Sequence, residues 1–203
     1  PLIFNQESSI YTWIVFSIAT FMSLCAAFTA FTGMVSSSSI QGSLQLGNTE
    51  VVWTSVIFLL VVANMVPLSG FAIQKFGLKT VIFYAFIIFS LGSFLSGLSV
   101  NFLTFFCSRI IEGIGGGLIF PASVGLISLS MKDKNKGFAL NLYASLTFGL
   151  GGTLGLSLSG ILTDVSGWRL TYFLPSYFLP LVLISIILTI NEAGKTKPRP
   201  LDL

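Results

Sequence analysis

The chain has 203 residues, of which 54% are hydrophobic and only 8% are charged, with ten basic residues, seven acidic residues and no histidine. Soluble domains carry roughly 25% charged residues, so this composition excludes that class and indicates an integral membrane protein. The basic residues stand in short gaps between apolar runs rather than in a surface cluster, so no nucleic-acid partner is expected.

Six apolar runs are long enough to cross a bilayer as helices, which takes about 20 residues each. The predicted fold class is therefore an all-α membrane protein in contact with the lipid bilayer. Its bundle occupies 11–190, between a cytoplasmic N-terminal segment at 1–10 and a cytoplasmic connector at 191–203. The six spans are predicted at 11–35, 51–73, 80–98, 102–127, 138–162 and 169–190.

The basic residues predict the orientation of these spans. They fall between the second and third spans, between the fourth and fifth, and after the sixth, whereas the opposite connectors hold only Arg169. The positive-inside rule places the basic connectors, and with them both chain ends, in the cytoplasm. The protein is then a multi-pass protein of the plasma membrane, most simply a bacterial inner membrane. The basic residues on the predicted inner side are Lys75, Lys79, Lys132, Lys134, Lys136, Lys195, Lys197 and Arg199.

Few side chains could support catalysis or bind a metal. The two cysteines, Cys25 and Cys107, lie in different apolar runs and are expected to be buried small hydrophobes rather than a disulfide or a metal site. There is no histidine and no nucleotide-binding P-loop. We therefore expect no catalytic residues, no metal, no bound cofactor and no enzymatic activity.

The stretch GFAIQKFGLK, which begins at Gly70, predicts a tight turn between the second and third spans. Gly77 is suited to a backbone conformation that other residues resist. The spacing of Gly70, Lys75, Gly77 and Lys79 also resembles the loop signature of the major facilitator superfamily. Gln74 stands where that family usually has an aspartate, so the ion pairs that the resemblance would assign to that acid cannot form.

A second stretch, SRIIEGIGGG in the fourth span, resembles another pattern of that family. Arg109 is followed three residues later by a polar residue, here Glu112, and then by the glycine-rich run that begins at Gly113. In the drug antiporters of the family the polar position is commonly a glutamine. Glu112 is a charged variant of that pattern.

The fifth span contains GGTLGLSLSG, whose Gly151, Gly155 and Gly160 resemble the antiporter signature, although Leu156 and Ser159 depart from it. The sixth span begins after GWR, residues 167–169, which resembles the fourteen-helix multidrug:proton antiporter branch of EmrB/QacA type. The first span has no acidic residue, unlike many members of that branch.

The resemblance implies one six-helix half, a 3+3 inverted repeat, of a transporter with twelve or fourteen helices that binds a small-molecule substrate between its two halves. It also implies a proton gradient as the energy source. The chain begins at Pro1 and stops soon after the sixth span. We therefore expect the N-terminal half of a longer transporter, with a C-terminal half as partner; a half-size protein that dimerises is the alternative.

Helical geometry places Arg109, Glu112, Gly113 and Gly117 on one face of the fourth span, with isoleucines opposite. A charge at mid-bilayer costs at least about 2.5 to 3.5 kcal/mol, so this face should point into the bundle and the isoleucines toward lipid. Burial disfavours the charged form of Glu112, whereas the nearby Arg109 favours it. The sequence does not determine which of these two effects is larger. The pair either pins its helix in place or takes up and releases a proton. The opposite isoleucines are Ile110, Ile111 and Ile114.

Two GxxxG pairs predict close helix packing, namely Gly113 with Gly117 and Gly151 with Gly155. The alternative is that these helix faces also slide past their neighbours during transport. Several polar residues could line a pathway or bond to their own helices. The resulting hypothesis is proton-coupled export of hydrophobic or cationic drugs. The alternatives are transport of another small solute, or a half-transporter that does not transport. The polar residues are Thr29, Thr32, Asn64, Asn141, Tyr143 and Thr147.

Overall fold

The computed structural model describes residues 9–189, nearly all of them helical. Within that range, six helical stretches are long and apolar enough to cross a membrane, which confirms the predicted number of spans. The helices are α1 (Ser9–Val35), α2 (Ser37–Leu44), α3 (Asn48–Phe76), α4 (Leu78–Leu98), α5 (Phe102–Ser130), α6 (Asp133–Ala144), α7 (Gly151–Ser166), α8 (Trp168–Tyr177) and α9 (Leu179–Thr189). The six spans are formed by α1, α3, α4, α5, α6 with α7, and α8 with α9.

The helices run further than the sequence predicts, so the connectors are shorter. Only Gly77 separates α3 from α4, which places Lys75 in the last turn of α3. Lys134 and Lys136 lie in α6 rather than in a connector, because that helix begins at Asp133. Hydropathy marks only the apolar part of a spanning helix, whereas backbone hydrogen bonding continues into its polar ends. The predictions for 1–8 and 190–203, including the basic residues after the sixth span, lie outside the described residues.

Three features of the helices were not predicted. The connector after α1 contains a short helix, α2, and the fifth span passes through a π-helical segment at Ser145–Leu150. The sixth span breaks at Phe178, between α8 and α9. Pro180 then lies in the first turn of α9, where its missing N–H leaves no bond unmade.

Because successive spans run in opposite directions, the connectors collect at two ends of the bundle. One end, the Gly77 end, holds the α3–α4 turn and the α5–α6 connector with its lysines. The other end, the Gly167 end, holds α2, the α4–α5 connector and the α7–α8 turn.

The turns at Gly77 and Gly167 share one backbone geometry at opposite ends of the bundle. Their φ and ψ angles are 85° and 152° at Gly77, and 84° and 155° at Gly167. A positive φ of this size favours glycine, since a Cβ would clash with the backbone. A basic residue follows two positions after each turn, Lys79 in one case and Arg169 in the other. The two turns occupy corresponding positions, one between the second and third spans and one between the fifth and sixth, as a 3+3 inverted repeat requires.

The helix α5 is central, and its glycines bring it close to helices on two sides. A Cβ added at Gly113 or Gly117 would lie 2.9 Å from Val61 Cβ or 2.5 Å from Met65 Cβ, both on α3. On the other side, a Cβ at Gly115 would lie 2.3 Å from the backbone nitrogen of Phe89 on α4. The packing predicted for Gly113 and Gly117 is therefore seen, and a second tight face at Gly115 accompanies it.

The glycines of α7 pack against α1. A Cβ at Gly151 would lie 2.9 Å from Ala27 Cβ, and one at Gly155 would lie 2.8 Å from the Phe28 carbonyl oxygen. The corresponding distance at Gly160 is 3.5 Å, to Val35 Cγ1, which is ordinary van der Waals contact. Only the first two glycines are therefore required for close approach.

A buried hydroxyl network connects three helices in the middle of the bundle. Tyr143 on α6 donates a hydrogen bond to Ser23 Oγ on α1 at 2.8 Å, and Ser23 donates to Ser123 Oγ on α5 at 3.0 Å. Ser123 in turn donates to the Ala19 carbonyl at 3.2 Å. Such bonds between helices stabilise bundles in lipid, where water cannot satisfy the polar groups.

We expect Gly115→Ala to destabilise the bundle by more than about 2 kcal/mol, because the added methyl would force α4 and α5 apart. The melting temperature of the protein in lipid nanodiscs would measure the loss. Gly137→Ala is the matched control, since nothing lies within 4 Å of its Cβ position and alanine favours a helix. Equal melting temperatures for the two variants would contradict the close packing of α4 on α5.

Candidate functional site

The site is a buried ion pair on α5. The Asn101 side chain accepts a hydrogen bond from the Thr104 backbone N–H at 2.9 Å and so caps the start of the helix. Arg109 follows the first helical residue by seven positions, or roughly 10 Å of helix, which places it nearer the Gly167 end. Arg109 Nη1 lies 2.6 Å from Glu112 Oε2, and the two residues are 1% and 0% exposed.

The guanidinium of Arg109 is held by α3 and α8. Its Cζ lies 4.2 Å from the centre of the Phe58 ring and 5.4 Å from the centre of the Tyr172 ring. Its Nε donates a long hydrogen bond of 3.4 Å to the Thr54 carbonyl on α3. Aromatic faces attract a cation more strongly where water is excluded, so these rings stabilise the charge as well as pack against it.

The carboxylate of Glu112 faces α4. Ser96 Oγ lies 3.4 Å from Glu112 Oε2 as a donor, and 2.9 Å from Ser108 Oγ. The approach depends on Gly92 of α4, where a Cβ would lie 2.3 Å from the Glu112 backbone nitrogen. The site therefore combines side chains from α3, α4, α5 and α8.

The contribution of α4 was not predicted, although the amino-acid sequence of this helix carries a signal. Four serines recur at every third position, so that each is next to the previous one on the helix surface, and the last of them caps the C-terminus of α4. All four are at most 2% exposed. They are Ser90, Ser93, Ser96 and Ser99.

Three buried polar atoms at the site have no hydrogen-bond partner among the described residues. They are Arg109 Nη2, Glu112 Oε1 and Tyr172 Oη. An unsatisfied buried polar atom costs roughly 1 to 3 kcal/mol, and more when its group is charged. The ion pair therefore keeps free bonding capacity on both of its members.

Glu112 differs from every other acid that the structure describes. Glu50, Asp133 and Asp164 lie within a few residues of a helix end, and all three are exposed. Glu112 is the one buried acid between residues 9 and 189. The other three acids also lie in helices, but Glu112 alone lies in the interior of the described bundle.

The isoleucines opposite the pair are less exposed than predicted. Ile110, Ile111 and Ile114 are partly buried, because α5 is packed by α4 as well as by α3. The prediction that both cysteines are buried is wrong for Cys107, which is exposed, and correct for Cys25. An exposed Cys107 on a spanning helix faces outward from this bundle.

The residues of the loop signature lie at the Gly77 end, away from the ion pair. Gly77 forms the turn, whereas Gly70 has nothing within 4 Å of its Cβ position. Gln74 is exposed. Lys75 Nζ lies 5.3 Å from the centre of the Phe76 ring. The loop signature and the Arg109–Glu112 motif, which both resemble patterns of the same family, therefore lie at different positions along the bundle axis.

The predicted pathway residues have mostly local partners. Thr29, Thr32 and Asn64 bond to carbonyls of their own helices, at 3.2, 2.9 and 2.7 Å. Thr147 is buried in the π-helical segment and its hydroxyl finds no partner there. The structure thus favours a local role for the first three, while Tyr143 joins the network with Ser23. Asn141 is exposed.

Six spans around a buried ion pair define a multi-pass α-helical membrane protein with a charged site inside its bundle. The model of the Major Facilitator Superfamily matches residues 16–203, and the chain belongs to that family. It comprises an N-terminal six-helix half of the family's fold.

Two relatives indicate the range of proteins it resembles. The Multidrug resistance protein B homolog of Mycobacterium tuberculosis is 30% identical over 70% of this chain, and the match covers 27% of that protein. The Riboflavin transporter RibZ of Clostridioides difficile is 26% identical over 79% of this chain, and the match covers 34% of that protein. The chain thus spans about a quarter to a third of these relatives.

A solved structure shows the same fold. The crystal structure of a bacterial homolog to the human lysosomal transporter Spinster matches with a TM-score of 0.79 at 19% identity. The match covers 96% of this chain and 46% of that one, as expected for one half of a two-half fold.

Removing one member of the ion pair should destabilise the protein far more than replacing both members with apolar residues. We expect Glu112→Leu to destabilise the protein by about 3 to 5 kcal/mol, because it leaves a buried guanidinium unpaired, and Arg109→Met with Glu112→Leu to recover most of that loss. The free energy of unfolding in mixed micelles would measure both.

Asp164→Asn is the control for this comparison, since that side chain is exposed and should change the free energy of unfolding by less than about 0.5 kcal/mol. If the double variant proved as unstable as the single one, the two side chains would not depend on each other as the 2.6 Å contact requires.

Proposed function

We propose that this chain is half of a secondary transporter that exports hydrophobic or cationic compounds in exchange for protons, in a bacterial plasma membrane with both chain ends in the cytoplasm. Family membership and the relative named as a multidrug resistance protein support export of drugs. The observation that carries the proton coupling is the buried Arg109–Glu112 pair.

Glu112 Oε1 is the atom at which a proton would bind. Its partner oxygen, Oε2, is occupied by Arg109 Nη1 at 2.6 Å, while Oε1 has no partner within the described part of the chain. A proton on Oε1 neutralises the carboxylate and weakens its hold on the guanidinium. Arg109 is then free to change its contacts with α3 and α8. Protonation would therefore be linked to a rearrangement between α3, α5 and α8.

A purely structural role for the pair is the competing interpretation. Two buried opposite charges can stabilise the contact of α5 with its neighbours without any proton transfer. Replacing such pairs by apolar residues is often neutral in other proteins, so a structural pair has little reason to be charged. An intramembrane ionisable pair is more commonly functional, which favours the proton-coupling role.

The second half of the transporter would cover the faces that this half leaves open. α3 and α7 present large apolar side chains, most of them more than 40% exposed, on their outer sides. In a two-half transporter the substrate lies between the halves near the bilayer middle. These side chains include Val52, Leu59, Leu60, Phe71, Leu154, Leu156 and Ile161.

We therefore expect the native polypeptide to be about twice this length or more, as a two-half transporter requires. The mass of the protein purified from its native membrane would test this expectation. A polypeptide of 203 residues would instead favour a half-transporter that dimerises or does not transport.

Transport of another small solute is the second candidate. The relative named as a riboflavin transporter is similar to this chain over a larger share than the multidrug relative. Proton flux in vesicles on addition of each compound class would separate the two candidates.

We expect Glu112→Gln to abolish proton-coupled efflux by the full-length protein, because glutamine keeps the size of the side chain but cannot release a proton. The measurement is substrate-dependent proton movement in proteoliposomes with an imposed pH gradient. Efflux should fall at least about 100-fold, in line with the loss of a proton-transfer group.

Glu50→Gln is the matched control, since Glu50 is exposed and accepts a hydrogen bond from the Gly47 N–H at 2.7 Å, which an amide oxygen can replace. Its coupling should match that of the unaltered protein. Unchanged coupling in Glu112→Gln would overturn the proton-carrying role and leave the structural one.

A further inference from the structure

The hydroxyl of Tyr172 has no bonding role while Arg109 and Glu112 are paired. Tyr172 is fully buried, and its Oη has no hydrogen-bond partner among residues 9–189. A phenylalanine would place the same ring against the Arg109 guanidinium without leaving a hydroxyl unsatisfied in the interior. The hydroxyl therefore lowers the stability of the paired state, which points to a partner in another state of the site.

Tyr172 is held in place on several sides. Ser93 Oγ on α4 donates a hydrogen bond to its backbone carbonyl at 2.6 Å. Its ring packs edge to face on Phe105 of α5 and on Trp168, with ring centres 5.5 and 5.9 Å away. A Cβ at Gly33 would lie 3.4 Å from its Oη, so α1 is also close to the hydroxyl. Because the ring is fixed in this way, its partner has to move to Tyr172.

Arg109 is the neighbour that can make this move. Its Cζ lies 5.4 Å from the centre of the Tyr172 ring, and its Nη2 has no partner among the described residues. The arginine side chain is long and carries five N–H donors. The other ring on the guanidinium, that of Phe58, offers no acceptor, and the Thr54 carbonyl already accepts from Nε. Apart from Glu112, Tyr172 thus offers the one unoccupied acceptor on the side chains that the structure shows against the guanidinium.

We propose that Arg109 Nη2 donates a hydrogen bond to Tyr172 Oη when Glu112 is protonated, so that Tyr172 is a positioning residue for the proton-coupling step. The proposal rests on the proton coupling proposed above and names the second partner of the arginine. One proton adds to Glu112 Oε1, the carboxylate becomes a neutral acid, and Tyr172 keeps its own proton. Arg109 thereby exchanges an ion pair within α5 for a hydrogen bond to α8.

Few other groups can influence this exchange. α3 and α4 present an aromatic ring and a serine hydroxyl to the pair, and neither titrates. α8 also carries Arg169, but its Nη2 donates to the Ser99 carbonyl at 3.0 Å at the Gly167 end. Cys25 and Tyr143 belong to a different buried cluster from Tyr172. The remaining titratable side chains on the described helices that pack against the pair are exposed or lie near a helix end.

The test measures the pH at which Glu112 takes up its proton. Infrared absorption of the protonated carboxyl group is recorded against pH for the full-length protein in dodecyl maltoside micelles, which contain no carboxyl or ester group. Subtracting the spectrum of Glu112→Gln at each pH leaves the signal of Glu112 alone.

We expect Tyr172→Phe to move the midpoint of this titration to lower pH by about 1 to 2 units, measured against Tyr172→Phe with Glu112→Gln. The variant weakens the protonated state, which loses one hydrogen bond to a charged group, and leaves the ion pair of the charged state intact. A hydroxyl with only a structural role would leave the midpoint where it is.

Tyr143→Phe is the matched control. It removes the hydroxyl of another buried tyrosine, whose partner is Ser23 Oγ at 2.8 Å, and should leave the midpoint unchanged. Tyr172→Phe should fold, because the hydroxyl that it removes has no partner in the paired state. Its melting temperature should equal or exceed that of the unaltered protein above the midpoint pH and fall below it at lower pH.

An unchanged midpoint in Tyr172→Phe, or an equal shift in Tyr143→Phe, would overturn the proposal. The infrared titration requires no transport, so it separates the role of Tyr172 from the transport function. A shifted midpoint in Tyr172→Phe together with proton flux that survives in Glu112→Gln would count against the transport function alone. An unchanged midpoint together with flux lost in Glu112→Gln would count against the role of Tyr172 alone. A Glu112 that never takes up a proton would overturn both.

Discussion

The burial of two opposite charges against each other, away from water, is the constraint on which the rest of this bundle depends. Arg109 and Glu112 are 1% and 0% exposed and are joined by a contact of 2.6 Å. Neither charge is tolerable alone in a low-dielectric interior, so α3, α4 and α8 must close around the pair together. The rings of Phe58 and Tyr172 and the hydroxyl of Ser96 complete that enclosure.

Glycines make the enclosure possible. Gly92 and Gly115 allow α4 and α5 to approach so closely that a methyl at either position would lie 2.3 Å from a backbone nitrogen. Gly113 and Gly117 do the same for α3. Without these close approaches the serine on α4 and the aromatic ring on α3 could not reach the ion pair. The glycine-rich run beside the charges therefore allows the neighbouring helices to enclose them.

Much of this architecture could be predicted from local sequence. Apolar runs of membrane length set the number of spans, and Gly77 marked a turn that needs a positive φ. Helical periodicity identified the face of α5 that carries Arg109 and Glu112. The helix ends, the π-helical segment and the exposure of Cys107 could not be predicted, because they depend on which neighbours pack against each helix. The four serines along α4 and at its C-terminal cap were visible in the sequence, but only the structure shows that they are buried.

By itself, the sequence determined that this is a six-span helical membrane protein with Arg109 and Glu112 on one helix face, since length, hydropathy and helical periodicity act along a single helix. Its motifs further resemble those of the major facilitator superfamily. Only the tertiary structure decided which side chains surround that acid. Ser96 and Tyr172 lie 16 residues before and 60 residues after Glu112. Their meeting depends on the packing of separate helices. Contacts between distant helices are set by shape and burial, and no local pattern encodes them.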